Sequence, residues 1–102
     1  MVKKILQINM KYKISADVLA KAFMDLAKPI SEVKGLEWKV WIHNAEKKMA
    51  GGIYLFKDEK SVNDYLTGKI VASLKANPAL SDLEAKVFDI IPDFTKKTRG
   101  PV

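Results

Sequence analysis

A chain of 102 residues, 48% of them hydrophobic, has the size and composition of one folded domain and not of a disordered or multidomain protein. It has no cysteine and a single histidine, which excludes disulfides, thiolate metal sites and thiol nucleophiles together. The formal charge of +6 comes from 18 basic residues, of which all but Arg99 are lysines. Scattered lysine serves solubility more than the planar, forked recognition of phosphate and bases, so a solvated surface is expected and no nucleic-acid partner.

From Lys4 to Tyr12 the residues alternate, with Leu6, Ile8, Met10 and Tyr12 on one side and Gln7, Asn9 and Lys11 on the other. That pattern predicts a half-buried strand. Its apolar residues are interleaved with polar ones, unlike a signal peptide, and no run approaches the roughly 18 apolar residues of a membrane span. A cytoplasmic address without membrane association is expected.

Ser15 is a plausible N-cap for a helix carrying Leu19, Ala22, Phe23, Leu26 and Ile30 at helical spacing. Pro29 should kink or end that helix, and Gly35 suits its termination. Two strands follow, near Leu36 to His43 and Met49 to Phe56, joined by a lysine-rich turn. In the first, Leu36, Trp38, Val40 and Ile42 form the apolar side expected to meet the helices, while Glu37, Lys39, Trp41 and His43 share the other. In the second, Ile53 and Leu55 oppose Tyr54 and Phe56, and the turn register decides which pair faces which layer.

Helical spacing returns through Val62, Tyr65, Leu66, Ile70 and Leu74, with Asp58 as cap. Read as one helix, it places Thr67-Gly68-Lys69 in mid-helix, and Asn77-Pro78 stops it. After a polar loop, Glu84 to Ile91 reads as the last strand. The order β-α-β-β-α-β is the ferredoxin-like α+β plan, an antiparallel four-stranded sheet with both helices on one face. A single domain is expected over residues 1–91, with a basic C-terminal tail over 92–102 that is loose or lies against a partner.

Aromatic and aliphatic residues on both sides of the sheet are more than a two-layer sandwich needs. Burying one such side chain stabilises by roughly 1.5–3 kcal/mol, so an apolar far face predicts a second protein layer, most simply a homodimer formed through that face. Gly51-Gly52 marks a bulge or a close approach by something bulky, and Trp41 should lie across from one of the two. Either the ring shields bare backbone for packing, or the glycines leave room for a flat ligand beside an aromatic wall.

No metal constellation, P-loop or dinucleotide fingerprint is present, and no metal or other cofactor is expected. His43, at a strand end, is the best chemical candidate for a general base, since imidazole titrates near neutrality. Asn9 and Gln7 on a central strand suit hydrogen bonding into a cavity or a solvated, interface role.

The run Trp38-Lys39-Val40-Trp41, followed by Ala50 to Phe56, Asp58 to Ser61 and Ala85 to Asp89, resembles the YdhR-like monooxygenase family. The likeness extends more weakly over the first strand and helix. It implies a dimeric α/β barrel, two ferredoxin-like subunits joined sheet to sheet. It also implies oxidation of a planar phenol- or anthrone-like aromatic by O2 without cofactor, the substrate supplying the electrons. On that reading Trp38, Trp41, Tyr54 and Phe56, which match the family's motif positions, form an aromatic wall for the substrate. His43, which lies outside that motif, is the catalytic candidate on its own chemistry, with Tyr54 as hydrogen-bond donor, and Asn9 is a substrate-binding candidate by its place on the first strand. A non-enzymatic homodimer that binds a small aromatic molecule is the alternative, followed by a haem-binding or haem-degrading protein.

Overall fold

The computed structural model describes residues 2–102. Strands β1 (Lys4–Tyr12), β2 (Leu36–Asn44), β3 (Met49–Phe56) and β4 (Leu80–Asp89) form one antiparallel sheet in the order β2-β3-β1-β4. Helices α1 (Ala16–Ser31), α2 (Glu59–Leu66) and α3 (Lys69–Ala76) connect them, and α4 (Pro92–Lys97) follows β4. This is the ferredoxin-like arrangement expected from the sequence.

The core lies between one sheet face and the first three helices. Leu6, Ile8, Met10, Tyr54 and Phe56 from the sheet pack with Ile30, Val62, Tyr65, Val71 and Leu74 from the helices. The caps form where short polar side chains precede each apolar period: Ser15 Oγ accepts from the Val18 amide, and an Asp58 carboxylate oxygen accepts from the Ser61 amide. Pro29 sits in the last turn of α1, which runs only two residues further. Gly35, at φ +86°, makes the turn into β2 in a left-handed conformation that glycine adopts without strain.

Three local expectations are corrected. The single second helix is two, because Gly68 interrupts it in extended conformation and becomes the N-cap of α3. The last strand starts at Leu80, within the presumed loop, and ends at Asp89, before Ile90 and Ile91. The third correction concerns faces. β2 pairs Leu36 with Phe56 but Trp38 with Leu55, so Glu37 is an extra residue in a β-bulge. A bulge inverts the alternation beyond it. Leu36 alone of its apolar set joins the core, while Trp38, Val40 and Ile42 fall on the face away from α1–α3, and Lys39, Trp41 and His43 face those helices. Because β3 pairs Tyr54 with Leu6, the Tyr54/Phe56 pair is the one that meets the helices.

The far face therefore carries Trp38, Val40, Ile42, Ile53, Leu55 and Phe88. One end of it is covered from within the chain. α4 and the residues after it border a recess with Ile5 and Trp38, the indole Nε1–H donates to the Pro101 carbonyl at 2.8 Å, and Leu55 is fully buried. Val40 and Phe88 stay about half exposed, at 52% and 46%.

Candidate functional site

The edge strand β2 and helix α1 do not close tightly, and the gap between them is a groove with an aromatic centre. At one end Ala16, Leu19, Ala20, Phe23, Trp41 and His43 line a largely apolar recess of about 280 Å³. At the other, Ala27, Ile30 and Ser31 of α1 face Glu37, Lys39 and Trp41 across about 210 Å³, with Trp38 at its border. A crevice of about 10 Å³ runs inward between them, past Phe23, Lys39 and Trp41 to Tyr54. Trp41 lines all three, with its ring 5.0 Å from that of Phe23, centroid to centroid.

His43 stands at the mouth of the first recess. It is exposed, and its Nε2 lies 2.6 Å from the hydroxyl of the buried Tyr12. That bond engages Nε2 and leaves Nδ1 without a hydrogen-bond partner among the described residues. If Nε2 carries the proton and donates to the phenol oxygen, Nδ1 is a free base; in the other tautomer it is a donor.

Tyr54 and Phe56 are core residues. Their exposures are 2% and 0%, and Phe56 borders none of the three recesses. The Tyr54 hydroxyl meets that of Tyr65 at 2.9 Å; burial raises the ionisation of Tyr54 well above the usual tyrosine range and raises that of Tyr65 as well. Tyr54 thus lies at the inner end of the crevice as a neutral hydroxyl. Asn9 and Trp38 project to the far face, where Gln7 Nε2 donates to Asn9 Oδ1 at 3.4 Å. Of the residues nominated from the sequence, the structure brings Trp41, His43 and Tyr54 to the groove and separates Asn9 from it by the thickness of the sheet.

The residue that sequence reasoning passed over is Lys39. Its Nζ lies 3.3 Å from the Trp41 ring centroid and 4.6 Å from that of Tyr54. Gly52, opposite Trp41 in the register, makes room for it, since a Cβ there would come within 2.4 Å of Lys39 Cε. The glycine leaves space for a lysine chain between two rings and for no ligand. Burial alone pushes the ammonium down to about 7, with no charged or hydrogen-bonding partner contributing. The available signal was a charged residue in register with Trp41 and beside a glycine.

Because the unfolded chain keeps an ordinary lysine near 10.4, it binds one proton more than the folded chain between about pH 7 and 10.4, so this group makes stability rise with pH across that window. Lys39→Met is expected to raise the melting temperature at about pH 6, with the gain fading by about pH 10.5. Thermal melts across that range check this; a gain independent of pH would mean that the amine is already neutral at acid pH or fully solvated.

A larger recess, about 560 Å³, lies elsewhere, between the segment after α1 and the α2–α3 corner. Lys34, Lys57, Lys60 and Lys69 line it with Asp58 and Asp64. Asp58 is engaged as a helix cap and Lys60 pairs with Asp64 at 2.9 Å, so two of its charged groups are already spent within the fold, and its one aromatic is Tyr65. Among the described residues no group of three or more His, Cys, Asp or Glu is placed to hold a metal ion, and no helix is long and apolar enough to cross a membrane.

The family described as "Putative mono-oxygenase ydhR" matches residues 5–101. No curated protein matches the chain. Among solved structures, a protein of unknown function from Nitrosomonas europaea, NE2512, is 22% identical over 89% of this chain and 91% of its own, with a TM-score of 0.75. The cofactor-independent oxygenase SnoaB of Streptomyces nogalater is 13% identical over 90% and 99%, with a TM-score of 0.70. The haem degrader MhuD of Mycobacterium tuberculosis, with two haems bound in its active site, is 14% identical over 85% and 95%, at 0.66. At such identities the likeness to these three is one of fold.

Proposed function

This chain belongs to the ydhR mono-oxygenase family, and from that premise we propose that it oxidises a planar, readily deprotonated aromatic with O2, without a bound cofactor, in the groove between α1 and β2. The observation that carries the reading is the position of Trp41, which borders every recess of that groove. A cofactor-independent oxygenase with the same fold supports it.

The reaction class follows from what such a groove offers. A methylene flanked by aryl and carbonyl groups gives up a proton, and the resulting carbanion supplies electrons to O2. One oxygen atom ends as the new carbonyl, while the other leaves as water with the two methylene hydrogens. The protein's share is to hold the flat ring, keep water from the anion and accept the first proton. Phe23 and Trp41 provide the walls, and Ala16, Ala20 and Ala27 on α1 keep the opposite side low.

Oxygen uptake with a panel of anthrones and hydroquinones tests the proposal. Turnover above the protein-free rate is expected, falling about 100-fold or more in Trp41→Ala as the ring loses its position. Thermal shift by the same compounds without oxygen consumption would replace the enzyme with a binding protein.

The same reading includes a homodimer joined through the far face of the sheet. The half-exposed Val40 and Phe88, with Ile91, Phe94 and Val102 exposed beside them, form an apolar surface of the kind that mates with a copy of itself.

A further inference from the structure

We propose that Lys39, and not His43, is the proton acceptor of the groove, taking the acidic proton of an aromatic substrate on its amine and then pairing as ammonium with the anion it has made. This rests on the groove being the substrate site. The argument starts from what the amine lacks. Lys39 Nζ sits over two ring faces and has neither an ion pair nor a hydrogen bond among the described residues, so its lone pair and N–H groups are unspent. It borders both the 210 Å³ recess and the inner crevice, so one side chain reaches open space and the dry interior together.

His43 is less well placed than Lys39. It is exposed, and one nitrogen is committed to Tyr12. An anion formed beside it would sit in water, where a neighbouring charge of either sign is worth little.

The placement has been made room for. Without a side chain at Gly52 the lysine chain lies flat across β3, and the Trp41 and Tyr54 rings hold it there. An amine held at about 7 by burial is free to accept a proton at neutral pH, and the ring faces then favour the ammonium that results. The step balances: the substrate O–H or C–H breaks, a new N–H forms on Lys39, and that proton leaves later with the water product. Few other charges face the amine. β2 contributes Glu37 at the recess border, its carboxylate 3.2 Å from Lys3 Nζ; β3 and α2 contribute the neutral phenols Tyr54 and Tyr65. The α1 residues lining the space, Phe23, Leu26, Ala27, Ile30 and Ser31, carry no charge, nor does Leu74 of α3.

The test uses 2-hydroxyanthraquinone, a planar phenol whose anion absorbs at longer wavelength than the neutral form. Bound to the wild-type protein, its ionisation midpoint is expected about one pH unit or more below that of the free dye. In Lys39→Met the midpoint should return to or above the free value, and the anion should lose about tenfold or more in affinity relative to the neutral dye. Lys39→Arg keeps the charge and so the lowered midpoint, yet offers no lone pair, and anthrone oxidation should fall about 100-fold in it. An equal midpoint in wild type and Lys39→Met, or undiminished turnover in Lys39→Arg, overturns the role of Lys39 and leaves the groove standing. No binding of dye or anthrone by any variant overturns the groove, and Lys39 with it.

Discussion

Replacing Gly51 with alanine is expected to destabilise the protein by more than about 3 kcal/mol, whereas alanine at the adjacent Gly52 should cost no more than about 1.5 kcal/mol. The two positions look alike in sequence and differ in what lies over them. A Cβ at Gly51 would stand 1.8 Å from the carbonyl oxygen of Ile8 and 2.8 Å from its carbon, both backbone atoms of the central strand β1. Relief would require parting β1 from β3 where they pair Asn9 with Gly51, next to the irregular register between Asn9 and Lys11 on the β4 side. At Gly52 the intruded atom is the far end of a flexible lysine, which can swing away. Denaturant melts of the two variants, with unchanged slope to confirm comparable unfolding, settle the comparison. A Gly51→Ala protein within 1 kcal/mol of wild type would contradict the strand spacing.

The second large effect concerns association. Changing both Val40 and Phe88 to glutamate should raise the dissociation constant of the proposed dimer at least about 1,000-fold and give a monomer at micromolar concentration. The two side chains are half exposed on opposite edge strands of the far face, so each tolerates a carboxylate in a free subunit. In a sheet-to-sheet dimer the same carboxylates would be buried without partners, at several kcal/mol, where about 1.4 kcal/mol is a tenfold change in affinity. Sedimentation equilibrium reads the outcome, and circular dichroism confirms that the variant is folded. Wild-type protein that is already a stable monomer at those concentrations would remove the interface.

The fold was legible because its signals are local and redundant. Alternation at Leu6, Ile8 and Met10, the caps at Ser15 and Asp58 and the stop at Asn77-Pro78 each act within a few residues and agree with one another. Gly68 was misread because apolar spacing continues through it from Tyr65 to Ile70, so periodicity outvoted the breaker. The faces of β2 were misread for a related reason. Leu36, Trp38, Val40 and Ile42 alternate without a flaw, and nothing at Glu37 announces a bulge, which depends on how β3 pairs and not on β2 itself.

The site was less visible than the fold. Aromatic residues attract attention as ligand walls, yet Phe56 is spent on the core and Trp38 is engaged with the tail. Lys39, one of 17 lysines, has no local mark that separates it from the solvated ones. Its surroundings come from Trp41, two residues on, from β3 across the sheet and from the α1 residues that border its recess. Such convergence is a property of topology and cannot be read along the chain.

Three residues apart on β2, the two indoles of the chain report on separate compartments, and the bulge at Glu37 decides which of them faces the helices. Trp38, bonded to the Pro101 carbonyl, is an emission probe for the tail and for anything that seats on the outer surface. Trp41, with a titrating amine 3.3 Å above its ring, is a probe whose quantum yield should follow the protonation of that amine. Substituting either with phenylalanine leaves a single-fluorophore protein, so events in the two layers can be watched one at a time without an added label.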